Sequence, residues 1–194
     1  MRQRIMREAM IELNERGIKF TMDDLARRLG ISKRTLYENF TSKEELIGFL
    51  LAEAIAEIKE KREAIAKNDT LDIRDKFKQM MTVRSSLWSE STDLLAIDIK
   101  KSMPEQWQKV ESTLDELWEM IEDLLREGAR IGCFRPVFFP AVRVIFKGAF
   151  NEFANYPFLL QHKVTVKEMI DYTFDILMFG LVAQENQVEN TRRK

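Results

Sequence analysis

The chain has 194 residues, of which 45% are hydrophobic and 32% are charged, and its 31 basic and 32 acidic residues leave a net charge of −1. This composition is typical of a folded, helix-rich protein and argues against a disordered chain. The 7 glycines and 4 prolines are few for an all-β fold, and no apolar run approaches the ~18 residues of a transmembrane helix.

A single cysteine excludes an internal disulfide framework and fits a reducing compartment. The N-terminus has basic residues but lacks the long apolar core of a secretion signal. We therefore expect a cytoplasmic protein that does not associate with a membrane.

The first predicted helix covers residues 2–16, because apolar residues recur there three and four positions apart, and it ends before Gly17. Two short helices joined by a tight turn follow within residues 21–46. Three helices around one small core form a head that is small for an independent domain, so we expect it to pack against the rest of the chain.

The signals for the two short helices are their caps. Thr21 and Asp24 have the spacing of a capping box, and Gly30 suits the left-handed conformation that often ends a helix. Ser32 can cap the second helix, which would bury Leu36 and leave its polar residues exposed. This pattern predicts a helix-turn-helix, whose second helix can enter a DNA major groove.

Basic residues are concentrated in the same stretch. Residues 27–43 contain five basic residues and one acidic residue, Glu38, in a protein that is otherwise mildly acidic. Most basic clusters are solvated helix faces, but on a helix-turn-helix such a cluster indicates phosphate binding. The five are Arg27, Arg28, Lys33, Arg34 and Lys43.

Amphipathic helices are predicted along the remainder of the chain. A fourth helix begins at Lys43, two helices follow before Pro104, and a long regular helix ends near residues 128–132. Two helices lie after it, separated from their neighbours by a proline-containing loop over 133–140 and a connector over 157–165. The prediction is therefore an all-α fold of about nine helices, with a helix-turn-helix domain over 1–46 and a second helical domain over 47–194.

The last two predicted helices are apolar on more than one face. Val144 and Phe139 fall off the main stripe of one helix, and Phe179 and Val182 fall off that of the other. A wide apolar surface can mean a central position in the protein's own domain. We favour a homodimer, because a twofold axis would bury two such helices from each chain in one interface.

The stretch TMDDLARRLGISKRTLYENFTSKEEL resembles the DNA-binding head of the TetR family of transcriptional regulators. The recognition helix of that family has the form T-L-Y-x-H-F-x-x-K-x-x-L, and the resemblance covers roughly residues 2–50. Asn39 stands where the family usually has histidine. The resemblance implies an all-α homodimer, usually a repressor, with a ligand pocket in the second domain. The matching positions are Thr35, Leu36, Tyr37, Phe40, Lys43 and Leu46.

Eight side chains are predicted to contact double-stranded DNA. Lys33 and Arg34 can reach guanine edges, and Asn39 can bind a phosphate or an adenine edge. Lys43 resembles the phosphate-binding lysine of the family, and Tyr37 can donate its hydroxyl to a phosphate. The eight are Thr21, Ser32, Lys33, Arg34, Thr35, Tyr37, Asn39 and Lys43.

Aromatic and methionine side chains in the second domain could line a pocket for a small apolar effector, although at helical spacing such residues are more often plain core. The candidates are Met81, Trp88, Trp107, Trp118, Phe146 and Phe150.

Enzymatic activity has little support in the sequence. One histidine, His162, and one cysteine, Cys133, cannot form a zinc site, and there is no glycine-rich phosphate loop, so we expect no cofactor. The prediction is a DNA-binding transcriptional regulator that responds to a small molecule. The alternative is an interaction module that keeps the same fold and binds a protein partner instead of DNA.

Overall fold

The computed structural model describes residues 1–87, 93–153 and 156–179, and no strand occurs within these ranges. The predicted all-α fold is confirmed, with ten α-helices in the described residues where about nine were expected. A short 3-10 turn, Gly17–Lys19, separates the first two. The helices are α1 (Arg2–Arg16), α2 (Met22–Leu29), α3 (Lys33–Asn39), α4 (Lys43–Ala66), α5 (Ile73–Thr82), α6 (Asp93–Ser102), α7 (Pro104–Arg130), α8 (Phe139–Phe153), α9 (Tyr156–His162) and α10 (Val166–Phe179).

The helix-turn-helix begins and ends at its predicted caps. The hydroxyl of Thr21 accepts from the amide of Asp24 at 3.1 Å, and the Asp24 carboxylate accepts from the amide of Thr21 at 3.0 Å. Gly30 ends α2 in the left-handed region with φ 65°, where a side chain would be strained. Ser32 then caps α3 by accepting from the amide of Thr35 at 3.0 Å.

One apolar core joins the head to the second half of the protein. The buried cluster contains Leu25 of α2, Leu36 of α3 and Phe40, which follows α3. It also contains Val110 and Leu117 of α7. The head is therefore packed against the helices that follow it, as its small size required. The predicted domain boundary after residue 46 stays a prediction, and α4 crosses it without a break.

The long helix α4 is bonded to α5 and α7 through the half-buried guanidinium of Arg62. Arg62 donates to the backbone carbonyls of Met80 at 2.9 Å and Leu117 at 2.7 Å. Burial lowers the pKa of Arg62 to about 10. These two bonds fix the C-terminal half of α4 against its neighbours.

A second core lies between α5, α7 and α10. Phe77 of α5 packs against Phe174 of α10, with ring centroids 5.4 Å apart, and against Phe134, with centroids 5.8 Å apart. Ile121 and Leu125 of α7 close this cluster from the other side. The second core therefore positions α10 and the loop that carries Phe134.

That loop, residues 131–138, is held against the end of α7 by a close approach at Gly128. The amides of Cys133 and Phe134 donate to the Gly128 carbonyl at 2.9 and 3.0 Å. A Cβ on Gly128 would collide with the Phe134 ring, so only glycine allows this packing.

Two predicted boundaries near prolines were wrong. The loop predicted over 133–140 ends earlier, because α8 begins at Phe139, and the connector predicted over 157–165 contains α9. Pro140 and Pro157 are each the second residue of a helix. Proline is tolerated there because the first-turn amides need no partner within the helix.

Candidate nucleic-acid interface

The short helix α3 presents its polar side chains to solvent while its apolar side chain anchors it. Leu36 is completely buried in the head, whereas the Arg34 side chain is 88% exposed and Tyr37 is also exposed. The cap at Ser32 sets where the helix begins, and Phe40 is buried just after its last residue. The arrangement suits a recognition helix, whose outer face can reach base edges in a major groove.

Carboxylates accompany the exposed basic side chains at this surface. The Arg34 guanidinium lies 2.9 Å from Glu38 one turn further on α3. Lys33 forms an ion pair with Asp23 of α2. Phosphates or bases must therefore compete with these acidic groups, and the effective positive charge is smaller than the count of basic residues predicts.

Arg28, which belongs to the basic cluster in the sequence, has a structural role. Its guanidinium lies 3.1 Å from Glu8, 3.0 Å from Glu12 and 2.7 Å from Glu15, all in α1. Hydrogen bonds to Glu15 and Glu12 raise the pKa of Arg28 above its usual value. We assign Arg28 to the packing of α2 on α1.

Lys43 is turned towards the head. Its ammonium donates to the carbonyl of Ile18 and lies 4.8 Å from the centroid of the Phe20 ring. Burial lowers the pKa of Lys43 below its usual value. To reach a phosphate, this long side chain must exchange its bond to Ile18 for the new contact.

The uncharged polar side chains that are predicted to contact DNA form hydrogen bonds within the helix-turn-helix, mainly at helix caps. The hydroxyls of Ser32 and Thr35 lie 2.8 Å apart, and the side-chain amide of Asn39 donates to the Thr35 carbonyl at 2.8 Å. The Thr21 hydroxyl donates to Asp24 at 2.6 Å. These bonds orient the side chains and leave oxygen lone pairs as acceptors.

Four of the six residues predicted to line an effector pocket can be placed, and two of them, Met81 and Trp118, pack against the second core. Trp118 and Phe146 face each other with ring centroids 6.1 Å apart. Trp107 is half-buried beside Lys100. Trp88 and the side chain of Phe150 lie outside the described residues.

A cavity of about 600 Å³ lies elsewhere in the second half of the protein, between α5, α7, the 131–138 loop, α8 and α10. Of the predicted residues that the structure describes, Met81, Trp107, Trp118 and Phe146 do not line it. Two arginines do, Arg74 of α5 and Arg135 of the loop, and the sequence did not mark them as site residues. They are far apart along the chain, so no spacing motif could have indicated that they share a cavity.

Within the described ranges, no helix combines the length and apolar character needed to cross a membrane. The same residues contain no group of three histidine, cysteine, aspartate or glutamate side chains that could hold a metal ion.

An all-α chain with a capped N-terminal helix-turn-helix and an exposed polar second helix has the fold of a helix-turn-helix DNA-binding protein. Residues 5–48 match the family model of the bacterial regulatory proteins of the tetR family. Over 188 residues the chain is 30% identical to YvaF of Bacillus subtilis (strain 168), an uncharacterized HTH-type transcriptional regulator, covering 95% of this chain and 97% of YvaF. The chain belongs to the tetR family, and it is a DNA-binding transcriptional regulator rather than an enzyme.

Solved structures share the whole fold. A transcriptional regulator from Saccharomonospora viridis in complex with choline superimposes with a TM-score of 0.76 at 18% identity, covering 94% of this chain and 98% of its own. The regulator FadR from Bacillus subtilis in complex with stearoyl-CoA has a TM-score of 0.66 at 18% identity, covering 93% of this chain and 99% of its own. These similarities extend through the helices that follow the head.

Proposed function

We propose that the protein is a repressor that binds a palindromic operator as a homodimer and leaves the operator when a small molecule binds its second domain. The observation that carries the proposal is the exposed polar face of α3, anchored by buried Leu36 in a head that is packed onto α4 and α7.

The proposed contacts to DNA are the eight side chains predicted from the sequence. The exposed residues Lys33, Arg34 and Tyr37 are the proposed contacts to bases and phosphates on α3. Thr21, Ser32, Thr35 and Asn39 would contribute through the acceptors that capping leaves available, and Lys43 through a phosphate contact.

The proposed dimer interface is the outer face of α8 and α10. Large apolar side chains are exposed there, including Val144 at 69%, Phe179 at 65% and Ile176 at 52%. Monomeric proteins rarely leave so many large apolar side chains of two neighbouring helices in water, and a second copy related by a twofold axis would cover them. Phe139 of the predicted face packs against the second core, and Val182 lies outside the described residues.

The proposed response to a small molecule follows from the second half of the fold. It holds a cavity large enough for a small ligand, and two structures with this fold are complexes with choline and stearoyl-CoA. A ligand that binds more tightly to a dimer with wrongly spaced heads would shift the population away from the operator-binding form.

Selection of duplexes from random DNA, followed by gel shifts with the recovered sequence, tests this function. We expect a palindromic site and binding that weakens as salt rises, because each phosphate contact releases counterions. The double variant R34A/Y37A should lose the preference for this sequence, whereas K67A, at the exposed residue that follows α4, should keep it. Recovery of no sequence above non-specific affinity would contradict the proposal and favour a protein partner.

A further inference from the structure

We propose that the cavity between α5, α7, the 131–138 loop, α8 and α10 binds an amphipathic anion, with its apolar chain inside and its charged head group paired with Arg74 and Arg135. The inference rests on the proposed function in one respect, namely that the occupant acts as the effector. The site itself follows from the cavity's lining.

The wall of the cavity is mostly apolar. Phe77, Leu125 and Phe134 form its inner side, and Val142 and Leu177 contribute from α8 and α10. Its volume of about 600 Å³ lies within the range of about 300–1,000 Å³ that is usual for small-molecule sites. An apolar chain placed there would exchange water for these side chains.

The charged residues that line the cavity in the described part of the chain are both positive. They are Arg74 and Arg135, and no carboxylate lines the cavity among the described residues. Neither arginine side chain has a hydrogen bond or ion pair with the described part of the chain. In the head, by contrast, Arg28 and Arg34 have carboxylate partners. Two guanidiniums that lack an acidic partner among the described residues, beside an apolar cavity, complement a carboxylate or phosphate, which arginine binds in a bidentate manner.

The loop that carries Arg135 is positioned in advance. The hydrogen bonds of Cys133 and Phe134 to Gly128 fix it on α7, and the Phe134 ring packs on Phe77 in the helix that carries Arg74. A site whose parts are held in place loses less conformational entropy when a ligand binds.

The cavity also borders the proposed dimer interface. Phe138, Ile145 and Phe179 line the cavity and are exposed on the outer apolar surface. An occupant would therefore touch side chains that a second copy would cover, which gives ligand binding a direct route to the geometry of the dimer.

Titration calorimetry of the full chain with decanoate and with decan-1-ol tests the site, because the two probes share an apolar chain and differ in charge. We expect decanoate to bind once per chain and at least about tenfold more tightly than decan-1-ol. The double variant R74Q/R135Q should weaken decanoate by about tenfold or more and leave decan-1-ol unchanged. The control K67Q removes one exposed positive charge just after α4, at a residue that does not line the cavity, and should change neither affinity.

Equal affinities for the two probes, or an unchanged decanoate affinity in R74Q/R135Q, would overturn the inference. A second variant, A141W, places a large side chain at an exposed lining position of α8 and should abolish binding of both probes. Retained binding in A141W would place the probes elsewhere and overturn the site.

Gel shifts with the selected operator separate this inference from the proposed function. Operator binding without ligand tests the proposed function alone. If decanoate binds as expected and operator affinity does not change, the site is supported and its role as the effector site is overturned. If decanoate releases the wild type but not R74Q/R135Q from the operator, both are supported.

Discussion

The guanidinium of Arg28 in α2 lies 3.0 Å from the carboxylate of Glu12 in α1, whose side chain is only 3% exposed. Arg16 also approaches Glu12, at 3.5 Å. Glu12 is therefore a buried charge whose closest partner belongs to the neighbouring helix, and the packing of the head depends on that pairing.

Replacement of Arg28 by glutamine should lower the thermal midpoint of the protein, because a buried carboxylate would lose its main partner. Circular dichroism measures this change. R27Q is the matched control, since the Arg27 side chain is 80% exposed and its loss should leave the midpoint nearly unchanged. Equal midpoints for R28Q and R27Q would show that Arg28 does not support the head.

Replacement of Lys43 by alanine should weaken binding to all DNA sequences alike and reduce the slope of log affinity against log salt by about one, if Lys43 contacts a phosphate. The bond between Lys43 and the Ile18 carbonyl predicts a lower thermal midpoint as well. Gel shifts at several salt concentrations separate the two effects. A lower midpoint with an unchanged salt slope would leave Lys43 with a structural role only.

Replacement of Arg34 by alanine should change the preferred sequence, because an exposed arginine on α3 is suited to reading a guanine edge. We expect discrimination to fall by about tenfold at the affected base pair. E38Q removes the carboxylate that lies 2.9 Å from the Arg34 guanidinium, so it should strengthen DNA binding. Competition gel shifts with single-base variants of the operator measure both, and an unchanged preference in R34A would contradict base reading.

The hydrogen bonds of Glu57 in α4 predict that the protein loses stability in acid. Burial alone would raise the pKa of Glu57, but hydrogen bonds from Lys61, Ser85 and Ser86 together lower the pKa to about 2. A carboxyl with a lowered folded-state pKa stabilises the protein above its unfolded-state value of 4.5, and that contribution is lost as the pH falls from there towards 2.

Urea unfolding of wild type and E57Q across this range measures the contribution. We expect E57Q to be less stable at neutral pH by about 1–2 kcal/mol, which allows for screening by water, and the difference to disappear near pH 2. E53Q, at an exposed position of α4, is the control. A difference between E57Q and wild type that is independent of pH would contradict the linkage.

Charges introduced into the outer face of α8 and α10 should convert a dimer into monomers. V144D and I176D each place a carboxylate on the proposed apolar interface without touching the cavity lining. Sedimentation equilibrium measures the change in mass, and Q108E, at an exposed position of α7, is the control. A monomeric wild type, or variants that dimerise like the wild type, would show that this face is not a dimer interface.

The N-terminal half of the fold could be predicted because its signals are local. The caps at Thr21, Ser32 and Gly30 each act within one turn, so they fix helix ends from residue type and spacing. Pro140 and Pro157 misled the prediction further on, since proline is a breaker within a helix but an acceptable residue in its first turn.

The partners of the site residues could not be predicted. Arg28 and Lys43 belong to the same basic cluster in the sequence, yet one pairs with α1 and the other with the carbonyl before α2. Arg74 and Arg135 line one cavity only because α5 packs against the loop after α7. Such relationships depend on how helices cross, which residue spacing within one helix does not specify.

The unbroken α4 is a rod of 24 residues, about 36 Å long, and in the proposed response to a ligand it would act as a lever. Arg62 fixes its far end to α5 and α7, whereas its first residue, Lys43, rests on the head. A tilt of about 5° around the fixed end would move the first residue by about 3 Å. In the proposed twofold dimer, two such displacements directed away from the axis would add, and the spacing of the recognition helices would change by about half the width of a major groove.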